Sequence, residues 1–120
     1  MSPEREWRFR IEDILNSIRA IQEYTEGQTY EEFTIDRKTV DAVIRNFIII
    51  GEAATHVPDR IVNDNQIIPW AEMRAMRNFV VHEYFGVSDT ILWDTAKQDL
   101  TPVPDLLRQL LDKKYACTEK

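Results

Sequence analysis

Met76-Arg77-Asn78-Phe79-Val80-Val81-His82-Glu83-Tyr84-Phe85 is the stretch on which the reading of this chain turns. It follows Pro69-Trp70-Ala71-Glu72-Met73, a proline-led helix start, and precedes Gly86, a natural helix stop. The spacing predicts one helix from Trp70 to Phe85. Trp70, Met73, Val80 and Val81 give that helix an apolar stripe, so it lines a core. At about 100° per residue, Arg77 and Tyr84 fall on the same stripe. A guanidinium there is costly unless an anion meets it. His82 lies about 140° round the helix from Arg77. Asn78, one turn before His82, can touch it. The predicted helix therefore carries two polar clusters, one of them on a face that should be buried.

The flanking sequence is helical in the same way. Ser2-Pro3 reads as an N-cap and first helical residue, and Gly27 as a C-terminal stop. Between them Trp7, Ile11, Ile14, Leu15, Ile18 and Ile21 recur at helical spacing. Thr29 and Glu32 form a capping-box pattern over a short turn. Asp36 can cap a second long helix with Val40, Val43, Ile44, Phe47, Ile48, Gly51 and Ala54 on its apolar stripe. Phe47 to Ile50 is apolar all round, which suits a central helix or an oligomer interface. Gly51, Ala53 and Ala54 are small enough to let another helix approach closely. Pro58 closes this helix after His56. Arg60-Ile61-Val62 can form one helical turn, and Asn63 to Gln66 a loop.

Ser88 or Asp89 can start a last segment through Ile91, Leu92, Ala96, Leu100, Val103, Leu106, Leu107, Leu110 and Leu111. Pro102 and Pro104 interrupt it, either as a kink or as a new helix with Thr101 as N-cap. No alternating strand pattern, internal repeat or dividing linker is evident. The expected fold is all-α: an up-and-down antiparallel bundle of four main helices plus one or two short ones. Residues 1–114 form a single domain, and 115–120 a frayed tail.

Bulk composition narrows the function. The chain has 120 residues, suited to one core, with three glycines and five prolines. The net charge is −6, which argues against binding nucleic acid through a wide basic face, and DNA is not an expected partner. The single cysteine, Cys117, lies in the polar tail, so neither an internal disulfide nor a cysteine metal site is expected. The polar N-terminus reads as a helix start and not as a signal peptide, and the longest apolar run is far too short for a membrane span. A cytoplasmic protein with no membrane partner is expected.

The chemistry is narrowed by what is missing. Neither His-x-x-x-His nor Glu-x-x-His occurs, so no metal is expected. There is no nucleophile elbow and no glycine-rich phosphate loop, so no cofactor is expected either. His56 stands alone at a helix end, where it suits the helix C-terminus or the surface. His82 keeps company with Asn78, Arg77 and Tyr84, a combination that fits metal-free phosphodiester chemistry. RNA supplies its own nucleophile, the 2′-hydroxyl. A histidine moves protons near neutral pH, and an arginine fork grips phosphate oxygens. Asn78 can hold the imidazole in one tautomer. Arg77 and His82 point to different faces, so two copies of the helix facing each other across a dimer cleft would bring them together. Arg74, Arg77 and Arg45 could make a small cationic patch.

These residues resemble a known family. Arg77-Asn78-Phe79-Val80-Val81-His82-Glu83-Tyr84 is similar to the Arg-x4-His-x-Tyr motif of HepT, the toxin of HepT/MntA toxin–antitoxin systems and a member of the HEPN ribonuclease group. Asp41-Ala42-Val43-Ile44-Arg45-Asn46, Ile49-Ile50-Gly51-Glu52-Ala53-Ala54 and Ile68-Pro69-Trp70 resemble it in order, over about residues 8–111. The resemblance implies an all-helical homodimer with its active cleft at the interface, dimerising through the motif-helix region. It implies a metal-independent endoribonuclease with Arg77 and His82 catalytic and Asn78 supporting, the toxin of a type VII-like system. It implies an MntA-type nucleotidyltransferase antitoxin that transfers AMP from ATP to Tyr84.

The residues also admit another reading, a catalytically inert helical module that binds a nucleotidyltransferase partner or a nucleotide. Arg77 could be a buried structural arginine paired with Glu52. Glu52 could partner Arg77 or Arg45, or belong to a site.

Overall fold

The computed structural model describes residues 2–79 and 88–115, and among these every regular element is helical. The elements are α1 (Pro3–Thr25), α2 (Tyr30–Ile35), α3 (Arg37–Thr55), α4 (Asp59–Asp64) and α5 (Trp70–Ala75). A 3₁₀ turn, Met76–Asn78, follows α5 directly. Beyond residue 87 come α6 (Asp89–Asp94), a π turn (Thr95–Asp99) and α7 (Val103–Asp112). Among the described residues no helix is long and apolar enough to cross a membrane.

The helix ends follow local chemistry. Ser2 caps α1 by accepting from the Arg5 amide at 3.2 Å, with Pro3 in the first helical position. Past its end, Gly27 takes φ +76°, left-handed backbone that a side chain would strain. Thr29 and Glu32 close a reciprocal capping box on α2. Asp36 caps α3 through the Thr39 amide at 3.2 Å, and its other oxygen accepts from the Thr39 hydroxyl at 2.6 Å and Gln28 at 3.0 Å. Those bonds favour the charged carboxylate and lower its pKa, the Thr39 hydroxyl contributing most.

The expected bundle forms. Glu4 meets Arg60 just beyond α3 at 3.4 Å, while Gln28 meets Asp36 just before it. The start of α1 therefore lies beside the end of α3, and α1 and α3 run antiparallel. Lys97 donates to the Thr25 carbonyl at the end of α1, and Arg8 near its start donates to the Leu111 and Lys113 carbonyls. The C-terminal segment thus also runs antiparallel to α1. Trp7, Ile11, Ile14, Ile18 and Ile21 of α1 are buried with Val40, Val43, Phe47 and Ile50 of α3. Leu92, Leu100, Leu107 and Leu110 close the core from the C-terminal segment. Each such side chain contributes about 1.5–3 kcal/mol of burial. Within Phe47 to Ile50 the burial is not uniform: Phe47 and Ile50 are fully enclosed, and Ile49 reaches the surface.

The prolines act as a helix restart. Pro102, without an amide hydrogen, precedes α7, and Pro104 sits in its first turn. Thr101 does not cap α7. Its hydroxyl donates back to the Lys97 carbonyl at 2.8 Å. Beyond α7 the chain does not loosen at once. Tyr115 packs edge-on against Trp7, donates to Asp64 at 3.0 Å and accepts from Asn65 at 2.8 Å. Asn65 also accepts from Lys113 at 2.6 Å, so the end of the described chain is strapped across α4.

Candidate active site around Arg77

The path to Arg77 begins at α5. Trp70 is buried, and its indole N–H donates to the Asn65 carbonyl at 3.0 Å. Arg74 donates to the Ala54 carbonyl at 3.2 Å and the Val57 carbonyl at 3.4 Å. It thereby ties α5 to the end of α3, where helix carbonyls lack partners. Arg74 is thus engaged with backbone and adds little to the cationic patch read from the sequence.

After Ala75 the α-helix tightens into the 3₁₀ turn. Trp70, Met73 and Met76 are the buried positions. Arg77 keeps its Cβ against α3, but its long arm carries the guanidinium out to solvent. Its side chain is 50% exposed. Asn78 is also exposed, while the Phe79 ring packs on Phe47 at 5.0 Å between centroids.

The backbone of this turn rests on Gly51 of α3. A Cβ at Gly51 would lie 2.8 Å from Arg77 Cβ and 3.0 Å from its Cα, and closer still to its amide nitrogen. Hydrogen in place of a side chain is what lets the turn approach α3 this closely. Gly51, one of the small residues of α3, thus receives the start of the motif itself.

The next residue, Glu52, meets the Arg77 side chain. One carboxylate oxygen lies 3.7 Å from Arg77 Nη1, and the other 3.7 Å from His56 Nδ1. His56 Nδ1 is also 2.8 Å from the Glu52 carbonyl. A carbonyl only accepts, so Nδ1 is the donor in this contact. His56 occupies the helix-end position expected of it. Of the two partners the sequence left open for Glu52, Arg77 and Arg45, it meets Arg77, and it does so at the surface. Arg45 is exposed on the same helix.

On the other side of the turn lies a groove of about 700 Å³, lined by Met73, Met76, Asn78, Phe79, Leu100 and Leu106 among others. Met73, Leu100 and Leu106 of its walls were legible as stripe residues, but its existence depends on how the C-terminal segment packs. Among the described residues no group of three or more His, Cys, Asp or Glu side chains could hold a metal ion. His82 and Tyr84, and the stop expected at Gly86, lie outside the described residues, so their geometry relative to Arg77 and Asn78 is not part of this site.

The site can offer phosphate an exposed guanidinium whose backbone is pinned and whose counter-ion is held only at long range. Comparison with known proteins agrees in kind. The family model described as "Ribonuclease HepT-like" matches residues 14–110. A probable ribonuclease HepT of Thermococcus cleftensis is 43% identical over 90 residues, covering 75% of this chain and 82% of that protein. A putative RNase of Methanocaldococcus jannaschii is 33% identical over 108 residues, covering 90% and 87%. Another, of Caldanaerobacter subterraneus, is 31% identical over 104 residues, covering 87% and 93%. No solved structure matches the chain. With its fold, its motif and these relatives taken together, this chain belongs to the HepT-like ribonuclease family.

Proposed function

We propose that the chain is the toxin of a type VII-like toxin–antitoxin system, a metal-independent endoribonuclease. The observation that carries this reading is the exposed, backbone-anchored Arg77 with Glu52 loosely paired to it. An arginine needed for packing would be buried and fully bonded. One that must take up an anion is exposed, held in place and easily released.

In the proposed reaction the 2′-oxygen of RNA attacks the adjacent phosphorus and the bond to the 5′-oxygen breaks. The products are a 2′,3′-cyclic phosphate and a 5′-hydroxyl. His82 takes the proton of the 2′-hydroxyl, and the 5′-oxygen leaves with a proton taken from solvent water, to which His82 later returns its own. Arg77 stabilises the charge gathering on the phosphate oxygens. Asn78 holds the His82 imidazole in one tautomer. Two copies of the chain, associating through the motif-helix region, complete the cleft. The antitoxin is an MntA-type nucleotidyltransferase. The Tyr84 hydroxyl attacks the α-phosphate of ATP, loses its proton and releases pyrophosphate, and the AMP left on Tyr84 blocks the cleft and pairs with Arg77. The proposed setting is the cytoplasm.

Purified protein incubated with RNA in the presence of a chelator tests this. Products ending in cyclic phosphate, abolished by Arg77→Ala and by His82→Ala, are the expected result. Protein that cuts no RNA with or without chelator, yet binds a nucleotidyltransferase tightly, would replace the reading with that of an inert binding module.

A further inference from the structure

Glu52 is left without a role by that mechanism, yet it lies against the guanidinium that the mechanism uses. Its position on α3 directly follows Gly51, whose missing side chain seats the Arg77 backbone. The Arg77 Cα and Cβ are thereby fixed relative to the Glu52 Cα, and the two side chains meet with little freedom in where they start. They meet at 3.7 Å, an ion pair beyond hydrogen-bond length, with both side chains half exposed. A pair of this kind adds little to stability and is readily exchanged. The carboxylate also has somewhere to go, because its other oxygen already faces His56, itself fastened to the Glu52 carbonyl.

We propose that Glu52 is a positioning residue for Arg77. In the empty site its carboxylate occupies the place of the substrate phosphate and holds the guanidinium aimed outward. When a phosphate of RNA arrives, it displaces Glu52 and takes the fork. The carboxylate turns towards His56 and stays close enough to limit where the guanidinium can swing. This rests on the ribonuclease reading of the site. It has two opposed consequences. The negative charge of Glu52 weakens the first encounter with phosphate, and its hold on Arg77 raises the rate once substrate is bound. Removing the charge alone should therefore lower KM and kcat together, a pattern that loss of fold does not produce.

The experiment compares the parent chain with Glu52→Gln, Glu52→Asp and Arg77→Ala on one RNA substrate, alongside thermal unfolding. Glu52→Gln is expected to lower kcat about tenfold and KM severalfold, with an unchanged thermal midpoint. Glu52→Asp, which keeps the charge on a shorter arm, should lie nearer the parent in both constants. Parental kcat and KM in Glu52→Gln, with Arg77→Ala inactive, would overturn the proposal and leave the ribonuclease reading standing. So would a fall in kcat at constant KM that tracks a lowered thermal midpoint, since that is a structural role. If Arg77→Ala itself cuts RNA at the parental rate, the assignment of the site falls first, and Glu52 with it.

Discussion

Gly51 and Arg77 are in direct backbone contact: the one position on α3 without a side chain receives the amide and Cα of the arginine. The contact joins the last turns of α3 to the first residue of the motif. It fixes where the guanidinium starts, whatever the side chain then does.

Gly51→Ala tests that contact. A glycine inside a helix costs roughly 1 kcal/mol relative to alanine, so on propensity alone the substitution would stabilise α3. Here the added methyl meets backbone and Cβ atoms of Arg77, which cannot swing aside as a flexible side-chain tip would. Overpacking should dominate, and chemical unfolding should show a net loss of about 1–3 kcal/mol. RNA cleavage should fall further than the stability loss explains, because Arg77 moves with the turn.

Arg77→Lys keeps the charge and removes the fork. The side chain is half exposed and its pair with Glu52 is long, so unfolding should change by less than about 1 kcal/mol. Cleavage should drop by roughly 10²-fold, because a point charge cannot replace two parallel donors to a phosphate. Parallel measurement of both quantities separates them, and a lysine variant that cleaves like the parent would argue against bidentate recognition.

Tyr115→Phe removes the hydroxyl that binds Asn65 and Asp64 while keeping the ring on Trp7. The loss should be about 1 kcal/mol in unfolding, with no effect on the Arg77 site. Burial, more than any other cause, raises the Tyr115 pKa above its ordinary value of about 10. A group raised in the folded state contributes stability that is complete below its unfolded pKa and is lost as pH rises through the folded one. The parent should therefore lose stability above about pH 10, and the phenylalanine variant less so.

Asp36→Asn should lower the thermal midpoint at neutral pH and lose that effect in acid. The lowered pKa of Asp36 means its contribution is present above the ordinary value of 3.8 and fades as pH falls through the folded-state value. The difference between parent and variant should thus be constant at neutral pH and shrink below that value. A difference that persists undiminished at the acid end would assign the effect to hydrogen-bond geometry in place of charge.

Much of this was legible residue by residue. Ser2, Gly27, Thr29 and Asp36 end or begin their helices as expected, because a cap depends on a few neighbouring residues. Thr101 was misjudged for the converse reason. Its hydroxyl donates back into the preceding π turn, to the Lys97 carbonyl, and not forward to α7. Tyr115 looked loose because its partners, Trp7, Asp64 and Asn65, lie at least fifty residues away in sequence.

The sequence by itself determined the helical class, the antiparallel succession of long helices and the family, since periodicity, caps and motif are all carried in short windows. It also singled out Arg77, Asn78, Gly51 and Glu52. Tertiary structure alone decided that the Arg77 guanidinium faces solvent, that its backbone lies on Gly51 and that Glu52 meets Arg77 and not Arg45. The physical reason is that Gly51, Glu52 and Arg77 sit on elements that meet only when the turn after α5 packs on α3, and that an arginine's long arm carries its charge to solvent from a Cβ held against that helix.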